Sequence, residues 1–311
     1  MNRIVPPTAE NIARAAAILR DGGLVAFPTE TVYGLGANAL DPAAVRNVFV
    51  AKERPDWDPL IVHVSGLAMA RRLTIQELPA ELTQRFWPGP LTLVVRKAAC
   101  VPDEVTARRP TVALRMPRHP VAQALLAAAQ CPIAAPSANR FGRPSPTRAE
   151  HVAADLGERV ELILDGGPTE LGVESTVLDL TQSPPVILRP GGVTREQLGG
   201  LRLAGGVAEE VAAKGLAGPG MTVRHYAPRA AVELFEDETA MQARAGQLRG
   251  RRVGVLVPTA ENLYAEMRRL EAEGVEVILC LLPPPTGVGL AVRDRLCRAA
   301  GCGLAEEERS G

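Results

Sequence analysis

Along the chain, apolar residues recur either at helical spacing or in short unbroken runs, and the two patterns alternate. After Thr8, a residue suited to capping a helix, Ile12, Ala15, Ala16 and Leu19 fall on one face, and Gly22-Gly23 stops the helix. The run Leu24-Val25-Ala26-Phe27 predicts a strand. It opens into Pro28-Thr29-Glu30-Thr31-Val32-Tyr33-Gly34-Leu35-Gly36, which reads as a polar loop at a strand end, where rigid scaffolds present chemistry. If extended geometry persists there, the hydroxyls of Thr29 and Thr31 share one face. Asp41-Pro42 begins a second helix that turns Val45, Val48 and Phe49 inward and ends near Lys52.

Further strands are predicted at 60–64, 91–95 and 111–115, with helices at 80–87 and 121–129. Thr147 with Glu150, and Thr194 with Gln197, have the spacing of capping boxes. Short strands follow at 161–164, 176–179 and 186–189. From about 201 to 228 the pattern loosens into Gly, Ala and Pro around Gly218-Pro219-Gly220, the composition of an interdomain linker. Beyond it, strands at 252–257 and 275–279 and helices at 261–273 and 288–300 form a small second unit, followed by an acidic tail. Strands alternate with helices and no repeat is present, so the class is α/β.

Length and composition narrow this picture in four ways. A length of 311 residues exceeds one typical core and predicts two domains. Lys+Arg 35 balances Asp+Glu 35, so no overall positive field recruits nucleic acid or an anionic membrane. No apolar run approaches a membrane span and the first residues lack a signal-peptide core, so a cytoplasmic protein is expected. The five cysteines are scattered without CxxC spacing, as reduced thiols are, and no metal set is expected.

Five polar clusters stand at the ends of apolar runs. They are the 28–36 loop, Lys52-Glu53-Arg54-Pro55, the pair His63 and Arg115, Ser137-Ala138-Asn139, and Ser175 with Arg189. Neither common phosphate cradle, GxxxxGK or GxGxxG, is present, and no GxSxG nucleophile motif occurs. Fixed cations and hydroxyls suit an anionic substrate held by point charges. Each residue also has a plainer reading. Lys52 and Arg54 can simply favour a helix C-terminus, and His63 can be a satisfied core histidine. Arg115 can be one half of a structural ion pair, and Ser137 and Asn139 ordinary turn formers.

Together, the runs PTETVYGLGANALD, KERPDWDPLIVHV, WPGPLTLVV, VALRMPRHP, APSANRFGRPSPT, ESTVLDL, ILRPGG and RHYAP closely resemble the YrdC-like family in its long, two-domain form. The second unit resembles that form's appended domain through Asn262-Leu263-Tyr264 and the run 289–296. The resemblance implies a YrdC-like twisted mixed sheet with helices around a positively charged cavity, plus a small Rossmann-like C-terminal domain. It implies a catalytic domain over 1–203, a linker and lid over 204–230 and the second domain over 231–311. The implied activity condenses L-threonine, bicarbonate and ATP into threonylcarbamoyl-adenylate with release of pyrophosphate. Magnesium (Mg2+) would ride on the ATP phosphates, and a downstream complex would pass the group to tRNA.

By the same resemblance, Thr31, His63, Arg115 and Ser175, with the backbone of Ala135, would hold threonine. Arg54, Asp58, Thr111, Ser137, Ser145, Arg189 and Tyr226 fall at ATP-contacting positions. Lys52, Arg54, Ser137 and Asn139 match the family's catalytic signature, and His225-Tyr226 would form the lid. The chain departs from the family in carrying Asp58 where Asn is frequent, Glu53 where Gly is frequent, and Thr222 where a basic residue is common. Other classes would be an RNA-binding module using a YrdC-like basic cleft, or a carbamoyl transferase of the larger relatives. Scarce aromatic residues and neutral charge speak against the first, and the absence of those relatives' extra domains against the second. Direct contact with tRNA is left open.

Overall fold

A computed structural model describes residues 3–199, 201 and 225–301. Most of the predicted linker, with Thr222, and the acidic tail with Cys302 lie outside the described residues.

The first unit runs β1 (Ile4–Val5), α1 (Ala9–Arg20), β2 (Val25–Pro28), β3 (Tyr33–Asn38), α2 (Pro42–Lys52), β4 (Ile61–His63), α3 (Leu67–Arg72) and α4 (Ala80–Phe86). It continues through β5 (Leu91–Arg96), α5 (Asp103–Thr106), β6 (Thr111–Arg115), α6 (Pro120–Ala129), β7 (Ile133–Ala134), α7 (Ala149–Leu156), β8 (Leu162–Leu164), β9 (Thr176–Asp179) and β10 (Val186–Arg189). The strands form one ten-stranded mixed sheet in the order β1-β8-β2-β3-β7-β4-β6-β5-β9-β10. The second unit comprises β11 (Ala231–Phe235), α8 (Glu238–Gln247), β12 (Val253–Leu256), α9 (Leu263–Ala272), β13 (Val277–Leu281) and α10 (Gly289–Ala300). Its three strands are parallel in the order β11-β13-β12.

Sequence chemistry explains several of these boundaries. Thr8 accepts the amide of Asn11 and starts α1; Asp41 accepts those of Ala43 and Ala44 and starts α2. On one sheet face α1 and α6 pack through Ala15, Leu19, Leu125 and Leu126 onto Val25, Phe27, Ile133 and Leu162. Farther along that face, register pairs Ile61 with Ala113 and His63 with Arg115. Strand alternation therefore places Thr111, Ala113 and Arg115 on one side of β6. There Ile61, Val94, Ala113, Val177, Val186 and Leu188 form an apolar strip. The candidate site lies between the helix-covered part of the face and this strip.

Two local expectations are corrected. The 28–36 stretch is a short turn followed by strand β3, which pairs antiparallel with β2, Val25 opposite Gly36 and Phe27 opposite Gly34. Its glycines serve close packing, since a Cβ on Gly36 would come within 2.8 Å of side-chain atoms of both Ile133 and Phe27. Thr147 does not cap α7, which begins after Arg148 with no side-chain cap; its amide and hydroxyl turn to His151 Nδ1 instead. Thr194 and Gln197 do exchange the capping-box hydrogen bonds, at 2.8 and 3.3 Å, over a turn rather than a helix. The brief strands β1 and β7 are too short to show a period, and α8 buries only Met241, so neither pattern marked them.

Candidate active site

One cavity gathers strand ends and loops of the first unit, with His225 and Tyr226 from the segment that leads into the second. Its walls include Thr31, Arg54, His63, Arg115, Ala135, Ser137, Ser175, Arg189 and Tyr226, all singled out from sequence. His225, expected in the lid, lines it too, as do Thr29 and Glu174, which had been assigned no role. Both of these were visible inside a quoted motif, but nothing in the residue types alone set them apart.

The β2–β3 turn builds the first wall. Thr29 Oγ1 lies 2.8 Å from Thr31 Oγ1 and donates to the Val32 carbonyl at 2.7 Å, so the paired hydroxyls meet in a turn. Arg115, at the end of β6, donates from Nη1 to Thr31 Oγ1 at 3.0 Å and from Nε to the Gly89 carbonyl at 3.3 Å. Its Nη2 pairs with Glu30 at 2.7 Å. Glu30 is held further by the Arg118 amide at 3.0 Å. Burial works against the Glu30 charge, but the charge and hydrogen bond of Arg115, joined by backbone amides, together hold the carboxyl below its ordinary value. Arg115 is thus both an ion-pair partner and a cavity residue. Three of its five N–H groups are engaged, which leaves two for a ligand.

Beside Arg115, His63 is buried against Phe27, with ring centroids 6.1 Å apart. Burial, then the Arg115 charge, push its pKa down to about 3, so the imidazole is neutral. Its Nδ1 has no hydrogen-bond partner among the described residues.

Opposite them, Ser175 precedes β9. Its hydroxyl lies 2.8 Å from that of Thr92, while Arg189 Nη2 donates to the Ser175 carbonyl at 2.9 Å and to its hydroxyl at 3.2 Å. His225 and Tyr226 close this side. Their rings lie 4.2 Å apart, His225 meets Phe141 at 5.1 Å, and Tyr226 adopts φ 61°. A non-glycine residue in the left-handed region costs free energy that its surroundings must offset. Here the Ala227 amide is held by the Gly142 carbonyl at 2.7 Å.

The remaining expected residues sit behind the walls. Lys52 does not reach the cavity: it is buried, and Nζ donates to the carbonyls of Ser137 and Asn139, both at 2.5 Å. Burial, followed by the charge of Arg54, pushes its pKa well down. Lys52 thus braces the 137–139 loop. Asn139 is likewise buried; its amide nitrogen holds the carbonyls of Arg140 and Arg143 at 2.7 and 2.9 Å. Asp58 is buried in an ion pair with Arg54 at 2.8 Å, so its carboxylate acts through Arg54 and is not a cavity wall. Ser145 gives its hydroxyl to Glu174 at 2.6 Å. Thr111 lies outside the cavity, at the far end of β6 on the Arg115 side.

The two departures among the described residues, Glu53 and Asp58, separate cleanly. Glu53 occupies the left-handed C-cap of α2 with φ 56°, the conformation that favours glycine, and its exposed carboxylate pairs with Arg140 and Arg159, each at 2.7 Å. Its carboxylate faces away on the surface and does not line the cavity, whereas Asp58 is one contact away from it.

No described group of three His, Cys, Asp or Glu side chains is spaced to hold a metal, and no described helix is long and apolar enough to cross a membrane.

Comparison with known proteins bears on this arrangement. Residues 17–191 match the Sua5/YciO/YrdC family model described as telomere recombination, and residues 193–301 match the threonylcarbamoyl-AMP synthase C-terminal domain. The chain is 44% identical to the threonylcarbamoyl-AMP synthase of Pyrococcus abyssi, across 92% of this chain and 93% of that protein. It is 44% identical to the Bacillus subtilis protein of the same name, across 93% of each. The crystal structure of P. abyssi Sua5 complexed with L-threonine superposes with a TM-score of 0.85 at 42% identity, covering 96% of each chain. With both family models matched in order along one chain and both units of the fold shared, this protein belongs to the Sua5/YciO/YrdC family of threonylcarbamoyl-AMP synthases.

Proposed function

We propose that the protein joins L-threonine, bicarbonate and ATP into threonylcarbamoyl-AMP and releases pyrophosphate, the first step of threonylcarbamoyladenosine formation on ANN-decoding tRNA. The observation that carries this reading is the meeting, in one cavity, of a half-engaged Arg115 with the phosphate-suited cations Arg54 and Arg189. The spare N–H groups of Arg115 receive the threonine carboxylate; a charge-assisted bond of that kind contributes about 1.5–3 kcal/mol. Neutral His63 lines the threonine end without placing a positive charge beside the amine, which must be unprotonated to attack. Thr31 and Ser175 complete the threonine end, with the Ala135 backbone.

The amine attacks bicarbonate, water leaves, and a carbamate forms. A carbamate oxygen then attacks the α-phosphorus of ATP, and the bond to the β-phosphate oxygen breaks to release pyrophosphate. Holding the reactants in line supplies roughly 7–11 kcal/mol of barrier reduction. Arg54 and Arg189 stabilise charge on the phosphate oxygens, with Ser137 at the junction. The apolar strip of Ile61, Ala113 and Val177 runs from Arg115 toward Thr111 and suits the nucleoside. Tyr226 and His225 cap the chamber and keep water from the carbamate.

Magnesium enters as part of the ATP substrate. The cavity carboxylate Glu174 is already engaged by Arg295, and magnesium binds readily through substrate phosphates. The product passes to a downstream tRNA-modifying complex in the cytoplasm.

The test is pyrophosphate release by pure protein supplied with threonine, labelled bicarbonate and ATP. Release should require all three, with label recovered in an adenylate. Release that ignores threonine would overturn the reading. Serine should be used less well, by the equivalent of about 1–3 kcal/mol for the missing methyl group.

A further inference from the structure

Glu174 is the one carboxylate among the described residues lining the cavity, and the reaction above gives it no part. A buried carboxylate beside a triphosphate site would repel the nucleotide unless its charge were compensated. The compensation comes from the other unit. Arg295 on α10 donates from Nε to Glu174 at 2.8 Å, and the hydroxyl of Tyr264 on α9 lies 3.1 and 3.0 Å from the two carboxylate oxygens. Ser145, at an expected ATP position, gives its hydroxyl to the same group.

Arg295 is itself fully buried and fixed on every side. Nη1 bonds Asp294 at 2.5 Å, Nη2 bonds the Pro190 carbonyl at 3.0 Å, and the guanidinium lies 5.4 Å from the Tyr226 ring centroid. Tyr264 in turn packs against Tyr226, ring centroids 5.6 Å apart and planes tilted by 35°. Glu174 directly precedes Ser175, whose backbone and hydroxyl are gripped by Arg189. Arg189 therefore holds Ser175 in place independently of Glu174, and a shift of Glu174 falls on the phosphate side. Burial opposes its ionisation, yet the charges of Arg295 and then Arg189 hold its carboxyl below the ordinary value.

We propose that Arg295 and Tyr264 are positioning residues of the cavity: they fix and neutralise Glu174, so that the ATP side of the site is built jointly by both units. The C-terminal unit then controls ATP affinity without touching ATP. This rests on the ATP-using reading above.

The experiment titrates full-length protein with ATP alone, by calorimetry, and separately measures KM for ATP and for threonine and the thermal midpoint. Tyr264→Phe removes one hydroxyl and keeps the ring. It should weaken ATP binding roughly three- to tenfold, with threonine KM moved less than about twofold. Arg295→Met should weaken ATP about ten- to a hundredfold, and Glu174→Gln added to it should recover most of that loss, because the uncompensated charge is gone. The pair also covers failure of Arg295→Met to fold, since recovery is then read against Tyr264→Phe. Arg269→Met, on the same helix but in surface ion pairs with Glu266 and Glu273, should leave ATP affinity unchanged.

Wild-type ATP affinity retained in Tyr264→Phe, or a folded Arg295→Met that Glu174→Gln does not improve, would overturn the inference alone. A wild-type protein that binds ATP but releases no pyrophosphate would overturn the synthesis reading alone. One that binds no ATP would overturn both.

Discussion

Two buried arginine–glutamate pairs flank the cavity with opposite ends facing in. Arg115 and Glu30, 2.7 Å apart, both belong to the ten-stranded unit; the arginine lines the cavity and the carboxylate stands behind it. Arg295 and Glu174, 2.8 Å apart, bridge the two units; here the carboxylate lines the cavity and the arginine stands behind. The first pair therefore offers a cation to a carboxylate ligand, while the second offers a fixed and neutralised acceptor. A buried pair is weak evidence for stability by itself. What assigns its role is which partner the ligand can reach.

The largest expected effect comes from breaking the first pair. Arg115→Ala leaves Glu30 buried and unpaired and should lower stability by about 3–5 kcal/mol. Threonine affinity should fall much further than ATP affinity. Pairing Arg115→Met with Glu30→Gln should restore the thermal midpoint but not threonine binding, because the cation is still missing. Equal losses for threonine and ATP would erase the distinction between the two pairs.

Acid separates the pairs from their surroundings. The native pKa of His63 is about 3 against an ordinary 6.5, so below 6.5 the unfolded chain binds a proton that the folded chain refuses. Stability is full above that value and falls as pH drops, by about 2 kcal/mol between pH 7 and 5 for this one group. His225, also pushed well down, adds in the same direction. Glu30 and Glu174 both have lowered values, so their contribution is present above the ordinary 4.5 and is lost only as pH falls through their native pKa values. Urea denaturation at pH 7, 6 and 5 should show the first loss, and His63→Gln should remove its own share of about 2 kcal/mol while the other lowered histidines keep theirs. The ion pairs should give way only in a second, more acid step.

Much of this was legible in the strand ends. Residues 111–115 read directly as the strand that delivers Arg115, whereas Thr29 and Thr31, expected on one face of an extended stretch, meet through a turn. What escaped was long-range pairing. Glu30 lay in plain view beside Thr31, but its partner is 85 residues away, and Arg295 is 121 residues from Glu174. Hydrophobic period reports which face is buried, and nothing in it tells which buried charge meets which. The same limit made Lys52 look like a phosphate cation, when its Nζ is bonded to two backbone carbonyls. Lys52→Met should accordingly loosen the 137–139 loop, seen as faster amide exchange, with a net stability loss of about 1–2 kcal/mol. A loss of ATP affinity with unchanged loop protection would return Lys52 to the phosphates.

The smallest effect concerns the two departures from the family pattern among the described residues, which also differ by what they face. Asp58 is buried on Arg54, so Asp58→Asn releases a cavity cation and should shift ATP affinity severalfold. Glu53 lies outside, in a left-handed cap, with its carboxylate on Arg140 and Arg159. Glu53→Gly relieves the backbone while deleting two solvent-screened ion pairs; these oppose each other, and the thermal midpoint should barely move. ATP and threonine KM should both stay at wild-type values. If Glu53→Gly moved ATP KM as far as Asp58→Asn does, the helix C-cap would be coupled to the nucleotide through the 52–54 backbone. The cavity's charge would then no longer be set by its buried pairs alone.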